Sequence, residues 1–195
     1  MRKRRLFVVL FGVFMILFSV FQPFISTSED ISQKIFRLHI IANSDSTYDQ
    51  DIKLKLKNYF LTETGELFTK PTLEENIEIA KENRGYLENL CNSFLKEQRC
   101  TYLASVAVCE EFFTTRLYDD FTLPSGVYNS IKITLGRGEG HNWWCIVFPS
   151  VCMSACSRSM DDYLTDEEME LVNNQYTPKF KIAEIYEKIK YKMNY

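Results

Sequence analysis

The sequence predicts an α+β fold in which an N-terminal strand and two helices precede an antiparallel β-meander and a C-terminal helix. Three observations carry this expectation. Apolar residues recur at helical spacing in two capped segments of the first half and again at the C-terminus. From Thr101 to Phe148 the period changes to two, the spacing of half-buried strands. Helices and strands are segregated along the chain, which is the α+β pattern. With 46% hydrophobic and 14% aromatic residues, 195 residues suffice for a real core.

The chain begins with a basic cluster, Arg2-Lys-Arg-Arg5, followed by an uncharged apolar run from Leu6 to Phe21. This is the layout of an export signal. The run is shorter than the roughly 20 residues that span a bilayer, although Phe24 and Ile25 extend it beyond Gln22 and Pro23. Ser26-Thr-Ser28 offers small residues for a signal peptidase without a clean Ala-x-Ala. Residues 1–28 therefore read as a signal peptide or an N-terminal membrane anchor held by residues 6–25, and residues 29–195 as a single extracytoplasmic α+β domain. Setting aside the four basic residues of the leader leaves 19 Lys and Arg against 26 Asp and Glu, so the exported part carries about −7. That balance argues against a nucleic-acid partner.

Outside the cytoplasm the six cysteines can oxidise, and an even count permits up to three bridges in many pairings. No Cys-x-x-Cys occurs, and Cys152-x-x-x-Cys156 lacks a second ligand pair, so no metal site is expected. Cys145 with Cys152 is the favoured bridge, closing a short loop over Pro149. The pairing of Cys91, Cys100, Cys109 and Cys156 stays open.

After the leader, Lys34 to Ile41 alternates like a strand. Ala42 to Ser46 is a turn, and Thr47-Tyr-Asp-Gln50 fits a capping box for the next helix. Within Asp51 to Phe68, Ile52-Lys-Leu-Lys-Leu-Lys57 alternates like a strand, but Ile52, Leu56, Tyr59 or Phe60, and Leu67 keep helical spacing over a longer stretch. Thr72-Leu-Glu-Glu75 repeats the capping box before a stripe of Leu73, Ile77, Ala80, Leu87, Cys91 and Phe94. Strands follow at Tyr102–Phe113, Val127–Leu135 and Trp143–Phe148, with a turn at Leu123-Pro-Ser-Gly126 and a glycine-rich loop at Gly136–Gly140. Residues 154–176 are polar, with a short helical stretch at Asp166–Val172. The last segment starts with Pro178 at a helix's first position and aligns Ile182, Ile185, Tyr186, Ile189 and Met193 on one face. That face is expected to dock and leave the lysines in water; a membrane-surface role is the alternative.

Two histidines bound the possible imidazole chemistry. His141 stands four residues from Cys145, so an exported thiol hydrolase is imaginable, but a cysteine with Cys152 nearby in an oxidising compartment reads more simply as a bridge. No Gly-x-Ser-x-Gly elbow or His-Glu-x-x-His occurs, and Gly136-Arg-Gly-Glu-Gly140 lacks the Gly-Lys-Ser/Thr ending of a phosphate loop. No enzyme activity, cofactor or small-molecule substrate is expected. His39 reads as a histidine satisfied at a strand–turn junction, through Asp45 or Asn43. Trp143 and Trp144 point to opposite faces of a strand, so one packs inward and the other is either offered to a partner or covered by another element.

Arg37-Leu-His-Ile-Ile-Ala-Asn-Ser-Asp-Ser46 and Gly138-Glu-Gly-His-Asn-Trp-Trp-Cys-Ile-Val-Phe-Pro-Ser-Val-Cys152 together resemble the stage II sporulation protein R family. Leu123-Pro-Ser-Gly-Val-Tyr128 and Lys179-Phe-Lys-Ile-Ala-Glu184 extend the likeness. The resemblance implies a signalling protein exported from the forespore of an endospore-forming bacterium. Its implied partner is a membrane-embedded aspartic protease of the mother cell, of the stage II sporulation protein GA type, which processes the precursor of sigma E. The receptor-binding candidates are then His39, Asn43, Asp45, Arg137, Glu139, His141, Asn142, Trp143 and Trp144. This chain departs from the family pattern at Ser150, where a second proline is frequent, and in carrying Cys91, Cys100, Cys109 and Cys156.

Overall fold

A computed structural model of the chain describes residues 2–118, 121–149, 160, 163–173 and 178–194, without the side chains of 2, 3, 14, 17, 18, 20, 178 and 194. The chain divides into two compact units, one of Lys34–Glu111 with Tyr128–Tyr163, the other of Met1–Gln33, Phe112–Val127 and Leu164–Tyr195.

The first unit is built on a four-stranded sheet in the order β2 (Ala104–Phe113), β5 (Gly126–Leu135), β1 (Phe36–Ile41), β6 (Asn142–Phe148). The α+β class and every expected strand are present. The arrangement adds one feature: β1 lies between β5 and β6, parallel to β5 and antiparallel to β6. The reason is visible in its composition. Phe36 to Ile40 are buried on both faces, and a strand wet on neither side belongs in the middle of a sheet.

One face of the sheet is the main core. Phe36, Leu38 and Ile40 of β1 join Ile131, Ile133 and Leu135 of β5 and Cys145 and Val147 of β6. Helices α2 (Thr47–Thr64), α3 (Leu73–Glu82) and α4 (Arg84–Glu97) supply the other half, through Ile52, Leu56, Phe60, Leu73, Ala80, Leu87, Cys91 and Phe94. Helical spacing thus prevails over the local alternation of Lys53, Lys55 and Lys57. The expected cap of α2 is corrected by one residue. Ser46 is the N-cap, its hydroxyl accepting from the Asp49 N–H, while Thr47 is already helical. The capping box at Thr72 and Glu75 forms as expected. The helix expected to continue from it is two helices, broken at Asn83, whose side-chain amide donates to the Ile79 carbonyl at 2.9 Å.

The second unit contains α1 (Arg2–Ser32), a two-stranded ribbon of β3 (Arg116–Leu117) and β4 (Thr122–Leu123), α5 (Asp166–Asn173) and α6 (Pro178–Asn194). α5 opens with a capping box that the sequence carries at Thr165-Asp-Glu-Glu168: the Thr165 N–H donates to the Glu168 carboxylate at 2.7 Å, and the Glu168 N–H to the Thr165 hydroxyl. Helix α1 continues past residue 28, with Ser28, Ile31 and Ser32 buried. Among the described residues no helix is long and apolar enough to cross a membrane.

The orientation of α6 corrects an expectation. Ile182, Ile185, Tyr186, Ile189 and Met193 form one face as the spacing requires, but that face is exposed. The buried side is Phe180, Ala183 and Glu187, with Phe180 edge-on to Phe24 of α1 at 5.0 Å. A ring beside a small Ala183 gives a narrow seam along which α6 meets α1, and Lys190 adds a 2.5 Å bond to Glu29. The wider stripe is left outward.

Leu56 is fully buried in the core and Leu54 lies exposed on the same helix. Leu56→Ala should cost about 2–5 kcal/mol in urea unfolding and Leu54→Ala less than about 0.5. Similar losses for the two variants would contradict the placement of α2.

Candidate functional site

Because β1 and β6 are antiparallel neighbours, two motifs about a hundred positions apart become adjacent. His39 lies opposite Trp144, Ile40 opposite Trp143 and Ile41 opposite Asn142. Their ends converge where the turn after β1 meets the loop before β6.

That junction is a clasp of backbone donors and turn acceptors. The Arg137 N–H donates to Asn43 Oδ1 at 3.0 Å and the Glu139 N–H to the Asn43 carbonyl at 3.3 Å. The Gly140 N–H reaches the Ala42 carbonyl at 2.9 Å, and the His141 N–H reaches Asp45 Oδ1 at 2.6 Å. The His141 ring also makes a close Nδ1 contact with Asp45. The glycines permit this approach. A Cβ on Gly136 would stand 2.2 Å from Asn43 Oδ1, and one on Gly140 2.3 Å from the Ser44 carbonyl oxygen. Gly136 and Gly138 moreover have φ of +54° and +64°, which β-carbon-bearing residues avoid. The glycine loop is thus shaped to the turn.

Asp49 holds the turn from beneath. Its carboxylate accepts from Asn43 Nδ2 at 2.8 Å, Ser44 Oγ at 2.5 Å and the Tyr102 hydroxyl at 2.7 Å. Burial disfavours its charge, yet the bonds from Ser44, Asn43, Tyr102 and Ser46 outweigh burial and hold its pKa below the ordinary value. Burial, reinforced by the Asp49 bond, pushes the Tyr102 hydroxyl up. Lys53, buried on α2, donates to the His141 carbonyl at 2.9 Å and to Gln50 at 2.6 Å. Burial lowers its pKa, while the nearby Asp45 charge acts in the opposite sense.

The sheet face away from the helices carries charge. His39 Nδ1 lies 3.0 Å from both carboxylate oxygens of Glu111, and Nε2 lies 3.0 Å from Asn142 Oδ1. Glu111 also accepts from the Ser130 hydroxyl at 2.6 Å and faces the Lys132 ammonium at 3.4 Å. Burial opposes the Glu111 charge, but the His39 and Ser130 bonds and the His39 and Lys132 charges outweigh it and keep its pKa low. The Trp144 ring stacks on His39 with centroids 5.7 Å apart and planes 15° apart. On the same face the fully buried Arg37 guanidinium lies 5.0 Å from the Tyr128 ring centre.

The two tryptophans therefore divide between the faces. Trp143 packs against the main core, with the Lys57 ammonium 4.7 Å from its ring centre. Its buried indole N–H meets no acceptor among the described residues. Trp144 belongs to the His39 side. Arg137 and Glu139 pair with each other at 3.1 Å on the solvent side of the loop, and His141 is the most exposed histidine of the site at 77%. His39 is corrected in its partner: it meets Glu111 and Asn142, whereas Asp45 is taken by His141.

Cys145 is buried and disulfide-bonded. Its expected partner Cys152, like Cys156, lies outside the described residues. Cys91, Cys100 and Cys109 are free thiols, so a framework of three bridges does not form. Burial pushes the Cys91 thiol up to about 12. A four-residue step along an extended chain separates His141 from Cys145 by about 13 Å, and the Cys145 sulfur is already bonded. Among the described residues no group of three or more His, Cys, Asp or Glu is placed to hold a metal ion.

Sequence reasoning missed Glu111, Ser130, Lys132, Asp49, Tyr102 and Lys53. Asp49 carried a signal, standing three residues after the N-cap Ser46. Glu111 carried none, because its role depends on which strands pair.

The pKa values of Asp49 and Glu111 are depressed in the folded state, so the stability they add is complete above the unfolded carboxylate pKa near 4 and is lost as pH falls through the folded value. Asp49→Asn and Glu111→Gln should therefore flatten the loss of urea stability between about pH 5 and 3. Acid limbs parallel to that of the parent protein would contradict these assignments.

Comparison with known proteins adds the following. A family model described as stage II sporulation protein R matches residues 32–158. Stage II sporulation protein R of Bacillus subtilis (strain 168) is 29% identical over 160 residues, covering 78% of this chain and 71% of that protein. No solved structure matches.

Proposed function

The chain belongs to the stage II sporulation protein R family, and from that premise we propose that it is an exported, non-enzymatic signal of endospore formation. It switches on a membrane-embedded aspartic protease of the mother cell, of the stage II sporulation protein GA type, and so leads to processing of the sigma E precursor. The clasp between the 42–45 turn and the 136–141 loop is the observation that carries this reading. It unites both motifs of the resemblance at one end of the sheet, and it leaves Arg137, Glu139 and His141 in solvent around a rigid backbone.

Rigidity favours recognition, because a preorganised loop loses little freedom on binding. The reading requires no nucleophile, and the bonded state of Cys145 weighs against the thiol hydrolase alternative. Export is supported by the leader. Leu6, Phe7, Val8, Val9, Leu10, Phe11, Val13, Met15 and Ile16 of α1 are all exposed, an apolar surface on every side of a helix. Such a helix is suited to lipid or to the export machinery.

Co-expression with the protease and the sigma E precursor tests the proposal. Trp144→Ala and the exposed pair Arg137→Glu with Glu139→Lys should each lower precursor cleavage at least about tenfold. Circular dichroism and thermal melting should show the exposed-pair variant folded. Full cleavage by both variants would refute a recognition role for this end of the sheet.

A further inference from the structure

Helix α6 presents to solvent the stripe it was expected to bury. Ile185 is 53% exposed, Ile189 56% and Met193 79%, with Ile182 and Tyr186 beside them. Isolated exposed apolar residues need no explanation, but five aligned on one helix face do. At 100° per residue, Lys181, Lys188 and Lys192 fall along one edge of the stripe, and Lys179 and Lys190 along the other. Five lysines against two glutamates make the helix basic within an acidic exported chain. Glu184 is engaged by Lys181 at 2.8 Å, and Glu187 is buried beneath the helix, where burial pushes its carboxyl up to about 7. With Lys181 paired to Glu184 and Lys190 to Glu29, Lys188 and Lys192 on one edge and Lys179 on the other give the apolar centre its cationic borders. Long lysine stems can lie along apolar surface while their ammonium groups reach outward.

The location of α6 narrows the occupant. Phe180, near its start, packs on Phe24 of α1, just beyond the uncharged run that ends at Phe21. α6 thus starts beside the end of the leader's apolar segment, within the same compact unit. We propose that α6 lies on the surface of an anionic lipid bilayer, its Ile182–Met193 stripe in the acyl boundary and Lys179, Lys188 and Lys192 among the headgroups. The charge pattern complements anionic lipid, and the exposed apolar residues of α1 lie in the same compact unit as the stripe. A second copy of this chain would offer the same cationic borders and repel them. The inference does not depend on the protein activating a protease.

The full chain is reconstituted in vesicles of phosphatidylcholine alone or with roughly a third phosphatidylglycerol. Floated vesicles are then treated with trypsin. Cleavage after Lys188 and Lys192 is compared with cleavage after Lys81, an exposed site on α3 that corrects for orientation and protease activity. On anionic vesicles the ratio should fall at least about tenfold relative to neutral ones, and Ile185→Ser with Ile189→Ser should restore it. Both positions are exposed, so the variant should keep the parent melting temperature. Equal ratios on the two lipids, or protection that survives in the serine variant, would overturn the proposal. Protection that follows protein density instead of lipid charge would overturn it too, and would point to self-association.

Discussion

Four backbone N–H groups of the loop between β5 and β6, those of Arg137, Glu139, Gly140 and His141, donate into Ala42, Asn43 and Asp45 of the turn after β1. Each bond contributes about 1 kcal/mol net, but donors left without acceptors would cost more than that, so the loop has one favourable seat. The seat exists because β1 is inserted between β5 and β6, and because glycines at 136 and 140 leave room for Asn43 and the Ser44 carbonyl. Asp49, Tyr102 and Lys53 in turn fix the turn and the loop from the helix side. The exposed pattern of charges around residues 137–141 is held by this framework.

The sheet face carrying His39, Glu111, Ser130 and Lys132 shows how a buried charge is tolerated. Glu111 is desolvated, and it stays ionised because a histidine, a hydroxyl and an ammonium all face it. Such networks tend to fix geometry more than they add stability. Here the fixed geometry is that of β6, since His39 also contacts Asn142 and underlies Trp144. The clasp positions one end of the second motif and the polar face orients its middle.

Much of the architecture was legible in the sequence because it depends on near neighbours. The Thr72 capping box, Pro178 at the start of α6, the strand periods and the helical spacing beneath the Lys53, Lys55, Lys57 alternation are all local patterns. What escaped depends on distant pairing. No local pattern places β1 parallel to β5, and Glu111 acquires its meaning through His39, 72 residues away. The face of α6 escaped for another reason: periodicity identifies a stripe but does not say whether protein covers it. Phe180 and Ala183 formed the seam with α1, and the stronger apolar stripe stayed outside. Of the candidate site, His39, Asn43, Asp45, His141 and Asn142 come together, with Asp49 and Glu111 as the partners that tie them in.

The central claim is that the clasped end of the sheet is the surface through which the protein acts on its partner. Site-specific photocrosslinking addresses it most directly. A photoreactive side chain placed at Arg137 or Glu139 should yield an adduct with the membrane protease in cells that assemble the pathway, while one placed at the exposed Leu103 or Tyr86 should not. Adducts from Leu103 or Tyr86 with none from Arg137 or Glu139 would place recognition elsewhere on the molecule and contradict the account.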